Sequence, residues 1–301
     1  MSDAQVPMTD KKTYGFTTTV LHSDRQKPIE HGSLHKPIHT AVAYGYRDAR
    51  ELAEVFQGKK PGYRYGRQGN PTVSALEEKL TSMEGGKGSI CFSTGMAAIG
   101  AVFQALLRQG DHIVSSSRLY GGTVTQLDVT MRRFGVDTTF VAGSSPADYE
   151  AAIQENTKLI FVEVVSNPSS NVADLQAIAD VAHRNGIPLI VDATTVTPYL
   201  CRPIEHGADI VIHSATKFLG GHGTTLGGVV VDSGNFHWDN GKFPTLVDPV
   251  PAYGDLQWWG NFGEYGFLTK LRTEQLRDIG PSLSPHSAFL LLLGVETLSQ
   301  R

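Results

Sequence analysis

Between residues 72 and 231, short and nearly unbroken apolar runs alternate with stretches of helical periodicity, and nothing else in the chain limits its fold so tightly. The runs are Ser89 to Ser93, His112 to Ser115, Thr138 to Val141, Leu159 to Val165, Ile187 to Asp192, Ile210 to His213 and Gly227 to Val231. Several are β-branched at almost every position, the mark of strands covered on both faces. Helical spacing fills the gaps at Val73 to Met83, Met96 to Arg108, Thr123 to Phe134, Pro146 to Glu155 and Leu175 to Asn185. Asn185-Gly186 supplies a stop signal for the last of these. The pattern predicts repeated βα units and an α/β fold with a mainly parallel seven-stranded sheet.

The flanks read differently. Residues 1 to 60 are rich in His, Lys, Pro and Thr and predict an arm with one short helix, carried by Ala49, Leu52, Ala53, Val55 and Phe56. The segment Asp232 to Pro251 is irregular and predicts a long loop. A last helical pattern starts near Tyr265, breaks from Pro281 to Pro285 and resumes at Ala288, so that Arg301 falls inside an unfinished helix. The chain is expected to stop early. The divisions follow as an arm over 1–60, a large domain over 61–270 and the start of a second, truncated domain over 271–301.

A formal net charge of -4, from 26 Lys plus Arg against 30 Asp plus Glu, offers no bulk positive field to nucleic acid or anionic membrane. Tyr63 and Tyr65 interleaved with Lys59, Lys60, Arg64 and Arg67 resemble a single-strand binding stripe, but the overall charge opposes that use. The longest apolar run, Ala288 to Leu293, is far short of the roughly 20 residues a bilayer requires, and no signal peptide or membrane span is predicted. Two cysteines, Cys91 and Cys201, both beside buried runs, point to a reducing, cytoplasmic compartment.

In an open parallel sheet, ligands bind beyond the carboxyl ends of the strands. The first run leads through Ser93-Thr94-Gly95-Met96 into a helix, presenting free N–H groups and a positive dipole end to an anion such as phosphate; taken alone it is also an ordinary N-cap turn. The fourth run exits at Ser166-Asn167-Pro168. The fifth ends in Asp192, a carboxylate costly to bury without a partner, open to service as an N-cap, a metal ligand or the partner of a protonated heterocycle. His206, His213 and His222 lack metal-ligand spacing, and no metal is expected. The sixth delivers His213-Ser214-Ala215-Thr216-Lys217 into a glycine-lined turn, where a lysine either binds phosphate as a point charge or forms a Schiff base. No nucleotide-loop spacing is present. A lysine amine, a carboxylate on another strand and a phosphate-receptive helix start together meet the needs of pyridoxal 5'-phosphate.

At these positions the sequence resembles the Cys/Met-metabolism family of pyridoxal-phosphate enzymes. The matching segments are Tyr65-Gly66-Arg67, Gly69-Asn70-Pro71-Thr72, Ser93-Thr94-Gly95-Met96, Leu119-Tyr120-Gly121-Gly122-Thr123, Asp192-Ala193-Thr194 and Ser214-Ala215-Thr216-Lys217. The resemblance implies the aspartate-aminotransferase-like fold type I, with Lys217 as Schiff-base lysine and proton shuttle. It implies that Asp192 pairs with the pyridine nitrogen, that Thr194 lies against the ring and that Tyr120 stacks on it and serves as acid–base partner. Gly95, Met96, Ser214 and Thr216 would hold the phosphate, and Asn167 the cofactor or the substrate carboxylate. Tyr65 and Arg67 would reach the phosphate of a neighbouring subunit, implying a homo-oligomer, commonly a dimer of dimers. The arginine that would clamp the substrate α-carboxylate is expected beyond position 301.

Within the family, the segments 200–209, Leu219-Gly220-Gly221-His222-Gly223 and Gly234-Asn235-Phe236, with the loop from Asp232, resemble the O-acetylhomoserine sulfhydrylase branch. The implied reaction is γ-replacement on O-acetyl- or O-succinylhomoserine by sulfide or a thiol, giving homocysteine or methionine. Cystathionine γ-synthase, methionine or cystathionine γ-lyase, and a cofactor-binding but weakly active shortened paralogue are the alternatives.

Overall fold

The computed structural model describes residues 14–25, 28–143 and 145–301. Helices α1 (Phe16–His22) and α2 (Ala49–Phe56) lie in the N-terminal arm, which therefore holds one helix more than its periodicity predicts. Then follow α3 (Pro71–Glu84), β1 (Gly88–Phe92), α4 (Gly95–Leu106), β2 (His112–Ser116), α5 (Gly121–Thr125, continued as a π-helical segment to Met131), β3 (Asp137–Val141) and α6 (Pro146–Ala152). The chain proceeds through β4 (Thr157–Glu163), α7 (Leu175–Arg184), β5 (Leu189–Asp192), α8 (Thr197–Leu200), β6 (Ile210–His213) and β7 (Gly228–Asp232). Short α9 (Pro244–Val247) interrupts the expected loop, and α10 (Trp258–Phe262), α11 (Gly266–Lys270, continued to Ile279) and α12 (Pro285–Glu296) complete the described chain.

The strands form one sheet in the order β1-β7-β6-β5-β4-β2-β3. All pairs are parallel except those of β7, which runs antiparallel to β1 and β6. The apolar runs divide their side chains between two cores. Ile160, Val162, Leu189, Val191, Val211, Val229 and Val231 point to a core shared with α3, α7 and α12. Leu159, Phe161, Ile190, Ile210, Ile212 and Val230 point to the other, shared with α4, α10 and α11. Each such side chain, fully buried, contributes about 1.5–3 kcal/mol, so a run with no polar alternation is stable only between two helix layers. Helix boundaries follow local chemistry. The Asn70 side chain accepts from the Thr72 N–H at 2.9 Å with Pro71 at the first position of α3, and Gly85 ends that helix at φ +73°. Asp174 caps α7, which ends at Asn185 and Gly186. No described helix is long and apolar enough to cross a membrane.

Topology places the exits together. Because β4, β5 and β6 are successive neighbours, Glu163 lies in register with Asp192, and Asp192 with Ile212. The start of α4 reaches the same edge over β7, where a Cβ at Gly228 would run into the Thr94 carbonyl.

Candidate active site

A cavity of 440 Å³ opens at this edge. Gly95, Met96, Tyr120, Asn167, Asp192, Thr194, Ser214, Thr216 and Lys217 line it, together with Ile99, Glu163, Val165, Phe218 and Leu226. Of the predicted site residues, Tyr65 and Arg67 stand apart from it. Tyr65 is 42% exposed and carries the Arg67 guanidinium 5.2 Å from its ring centroid.

The α4 end of the cavity suits an anion. The Thr94 side chain, rather than that of Ser93, caps the helix by accepting from the Ala97 N–H at 3.0 Å. This leaves the Gly95 and Met96 N–H groups at the positive end of α4 without a helical acceptor. A Cβ on Gly95 would lie 2.6 Å from Ser214 Cβ, so glycine is what allows α4 to start against β6. The Ser214 hydroxyl makes no hydrogen bond within the described residues, whereas the Thr216 hydroxyl donates to the Gly227 carbonyl at 3.2 Å and accepts from its N–H at 3.0 Å. Of the two, Ser214 is the freer donor for an anion.

On the sheet side, Thr194 binds two elements together. Its N–H donates to Asp192 Oδ1 at 2.9 Å, and its hydroxyl oxygen accepts from the Ser214 N–H at 2.8 Å. Burial raises the Asp192 carboxyl above its ordinary value, with the Thr194 bonds and His213 acting in the opposite sense. No cation among the described residues forms an ion pair with Asp192, so its surroundings suit an added positively charged group. Lys217 lies in the turn after β6, its N–H bonded to the Ser214 carbonyl at 3.1 Å and its carbonyl to the Gly221 N–H at 2.8 Å. Its amine has no hydrogen-bond or ion-pair partner among the described residues. Tyr120 precedes α5, is half exposed, and folds its ring back over Gly122.

Glu163 lines the same cavity although no motif or strand exit marks it. It is buried at the end of β4, accepting from the Tyr120 N–H at 2.6 Å and from the Asn167 N–H at 3.0 Å. Burial pushes its carboxyl up to about 7; the two N–H bonds lower it, and neighbouring Asp192 raises it further. Its signal was an acid within an otherwise apolar run, hidden because the expected strand continued to Val165.

An anion cradle, an uncompensated carboxylate and a free lysine amine around one cavity fit pyridoxal phosphate, and with this sheet they define a fold type I enzyme of that cofactor. The sequence matches the Cys/Met metabolism PLP-dependent enzyme family over residues 17–301. It is 46% identical over 297 residues to "Sulfhydrylase FUB7" of Fusarium oxysporum f. sp. lycopersici, covering 98% of this chain and 69% of that protein. It is 42% identical over 291 residues to the homocysteine/cysteine synthase of Saccharomyces cerevisiae, covering 95% and 66%. The fold superimposes with a TM-score of 0.92, at 32% identity, on a putative O-acetylhomoserine (thiol)-lyase from Campylobacter jejuni whose crystal structure holds a pyridoxyl-lysine phosphate, covering 96% of this chain and 72% of that one. The chain belongs to the Cys/Met metabolism family of PLP-dependent enzymes. It spans about two thirds of the length of these relatives.

Proposed function

We propose that the chain catalyses γ-replacement on O-acetyl-L-homoserine, with the O-succinyl ester as the other candidate, using sulfide or a small thiol. The observation that carries this reading is one cavity lined together by Lys217, Asp192, Gly95 and Met96. The sulfhydrylase names of the relatives support the branch. With hydrosulfide, the Cγ–O bond to acetate is exchanged overall for a Cγ–S bond, acetate leaving before the sulfur adds, so that homocysteine and acetate are the products. A thiol such as methanethiol gives methionine.

Bound here, pyridoxal phosphate supplies an aldehyde for amines and a ring that takes up the charge left by a departing Cα proton. Gly95, Met96 and Ser214 would hold its phosphate, and Thr216 would join them by giving up its bond to the Gly227 carbonyl. Asp192 would serve as the partner of the protonated ring nitrogen, and Thr194, which donates to its Oδ1, would fix the carboxylate's orientation. Lys217 would hold the cofactor through its amine and move the Cα proton, with Tyr120 as aromatic cover and acid–base partner. Asn167 bonds the cofactor or the substrate carboxylate. Tyr65 and Arg67, turned away from their own cavity, serve the phosphate of a neighbouring copy in a dimer of dimers. Residues 61–270 form the cofactor domain, the arm over 1–60 precedes it and 271–301 lead out of it. The enzyme works in the cytoplasm.

The test is release of acetate and formation of homocysteine from O-acetylhomoserine and sulfide by the cofactor-loaded chain, beside Lys217→Ala. Acetate release no faster than that of Lys217→Ala would refute the proposal. Release of ammonia and an α-keto acid in place of homocysteine would reassign the site to elimination.

A further inference from the structure

Glu163 joins two turns that the chain otherwise keeps separate. Tyr120, which precedes α5, lies 43 residues before it, and Asn167 lies four residues after it. Each carboxylate oxygen receives one backbone N–H, at 2.6 and 3.0 Å. Both donors belong to residues that line the cavity, as does Glu163 itself. A carboxylate accepts on both oxygens, whereas a carboxylic acid or an amide offers one good acceptor and one group that donates. Only the ionised form holds both turns.

Resting on the reading of the cavity given above, we infer that Glu163 is a positioning residue: its ionised carboxylate ties the Tyr120 turn to the Asn167 turn beneath the cavity, and a proton taken up by Glu163 releases one of them. Its surroundings make that proton exchange accessible near neutrality. Asp192 lies beside it on β5, Lys217 and Tyr120 line the same cavity, and Arg118 and Tyr149 line a small cavity that Glu163 also borders. Burial, helped by Asp192, brings its carboxyl up to about 7 against the pull of the two N–H groups. The aromatic cover and the Asn167 side chain are then set together, by one ionisation, above that pH.

The test is hydrogen–deuterium exchange resolved to the Tyr120 and Asn167 amides, in the cofactor-loaded chain and in Glu163→Gln, an isosteric variant that keeps one acceptor. Losing a bond to a charged acceptor speeds exchange on the order of ten-fold or more. One of the two amides should show that rise in Glu163→Gln. In the unaltered chain, the same rise should appear on going from pH 8 to pH 5.5 after correction for intrinsic exchange, and this arm needs no variant. Unchanged protection of both amides in Glu163→Gln, or protection in the unaltered chain that is flat with pH, overturns the inference. Visible absorption of the same samples keeps the two readings apart. A missing cofactor band in the unaltered chain removes the assignment of the cavity, while amide exchange measured without cofactor still tests Glu163.

Discussion

Gly95→Ala should close the anion cradle while leaving the backbone of α4 free to form. Gly95 is not at positive φ, so alanine is allowed there conformationally and the whole cost is steric. The added Cβ would lie 2.6 Å from Ser214 Cβ and 2.9 Å from its Cα and Oγ. A rotamer change cannot relieve the contact, because one of those atoms is backbone. Nor is Ser214 free to retreat: its N–H is held by the Thr194 hydroxyl oxygen at 2.8 Å and its carbonyl by the Lys217 N–H at 3.1 Å. Overpacking of this kind costs about 1–3 kcal/mol. At about 2–4 °C per kcal/mol for a domain approaching this size, the cofactor-free protein should melt roughly 2–12 °C lower. Displacing one N–H from a charged ligand should also weaken cofactor affinity about ten-fold to a hundred-fold. Thermal melts of the cofactor-free protein and a visible-absorption titration read the two effects separately. Gly121→Ala is the control, since a Cβ there meets nothing within 4 Å and φ is not positive. If Gly95→Ala melts and binds cofactor as Gly121→Ala does, the cradle has been misplaced.

Two other perturbations act on buried charge away from the cavity. Burial raises the Asp232 carboxyl to about 7, with Asp209 adding to the rise, so the folded chain retains a proton that the unfolded chain releases near pH 4. The stability this contributes is whole below pH 4 and lost as pH rises through 7; Asp232→Asn should therefore gain stability relative to the unaltered chain between pH 5 and pH 8, and a difference in urea-unfolding free energy constant with pH would refute the argument. Lys79, fully buried, lies 3.1 Å from the buried Asp24 carboxylate and donates to the Val20 carbonyl at 2.6 Å. Lys79→Met should cost about 3–5 kcal/mol by leaving Asp24 only the more distant Arg25, at 3.8 Å, and by removing the Lys79 contact to Glu296 at 3.4 Å, with part of the loss restored when Asp24→Asn is added; urea unfolding of the single and double variants checks both statements.

The sheet was legible because its strands carry their own evidence. An unbroken run such as Leu189 to Val191 has no wet face and must lie between helix layers, whatever its neighbours are. Ends were less legible: β4 stops at Glu163 although the apolar pattern continues through Val164 and Val165. Apolar pattern reports burial, and burial reaches Val164, one residue past the last β4–β5 pair; its N–H makes the closing ladder bond, to the Asp192 carbonyl at 3.0 Å, with the same offset as Ile160 to Pro188. The antiparallel direction of β7 has no signature in its residues, since a strand covered on both faces reads alike in either direction. In the arm, α1 carries too short a pattern to be read, with Phe16 and the Val20-Leu21 pair separated by three threonines, and its packing against α3 and α12 is a tertiary fact.

The site followed the same rule with the opposite result. Asp192, Lys217 and Gly95 stand at points where an apolar run stops and a turn starts, so their chemistry was exposed to a reading made one strand at a time. Glu163 acts by joining turns from two strands, and no single segment contains both of its donors. Its carboxylate has value only once β2 and β4 are side by side, which brings Tyr120 and Asn167 to its two oxygens. Thr216 is the converse case, since its place in the motif marks it for an anion while the return of the chain at Gly227 engages its hydroxyl. A strand-by-strand reading therefore recovers groups that line the cavity at the strand exits. The residues that aim those groups emerge from the topology, and an acid interrupting an apolar run near a strand's carboxyl end is the sequence trace by which they can be sought.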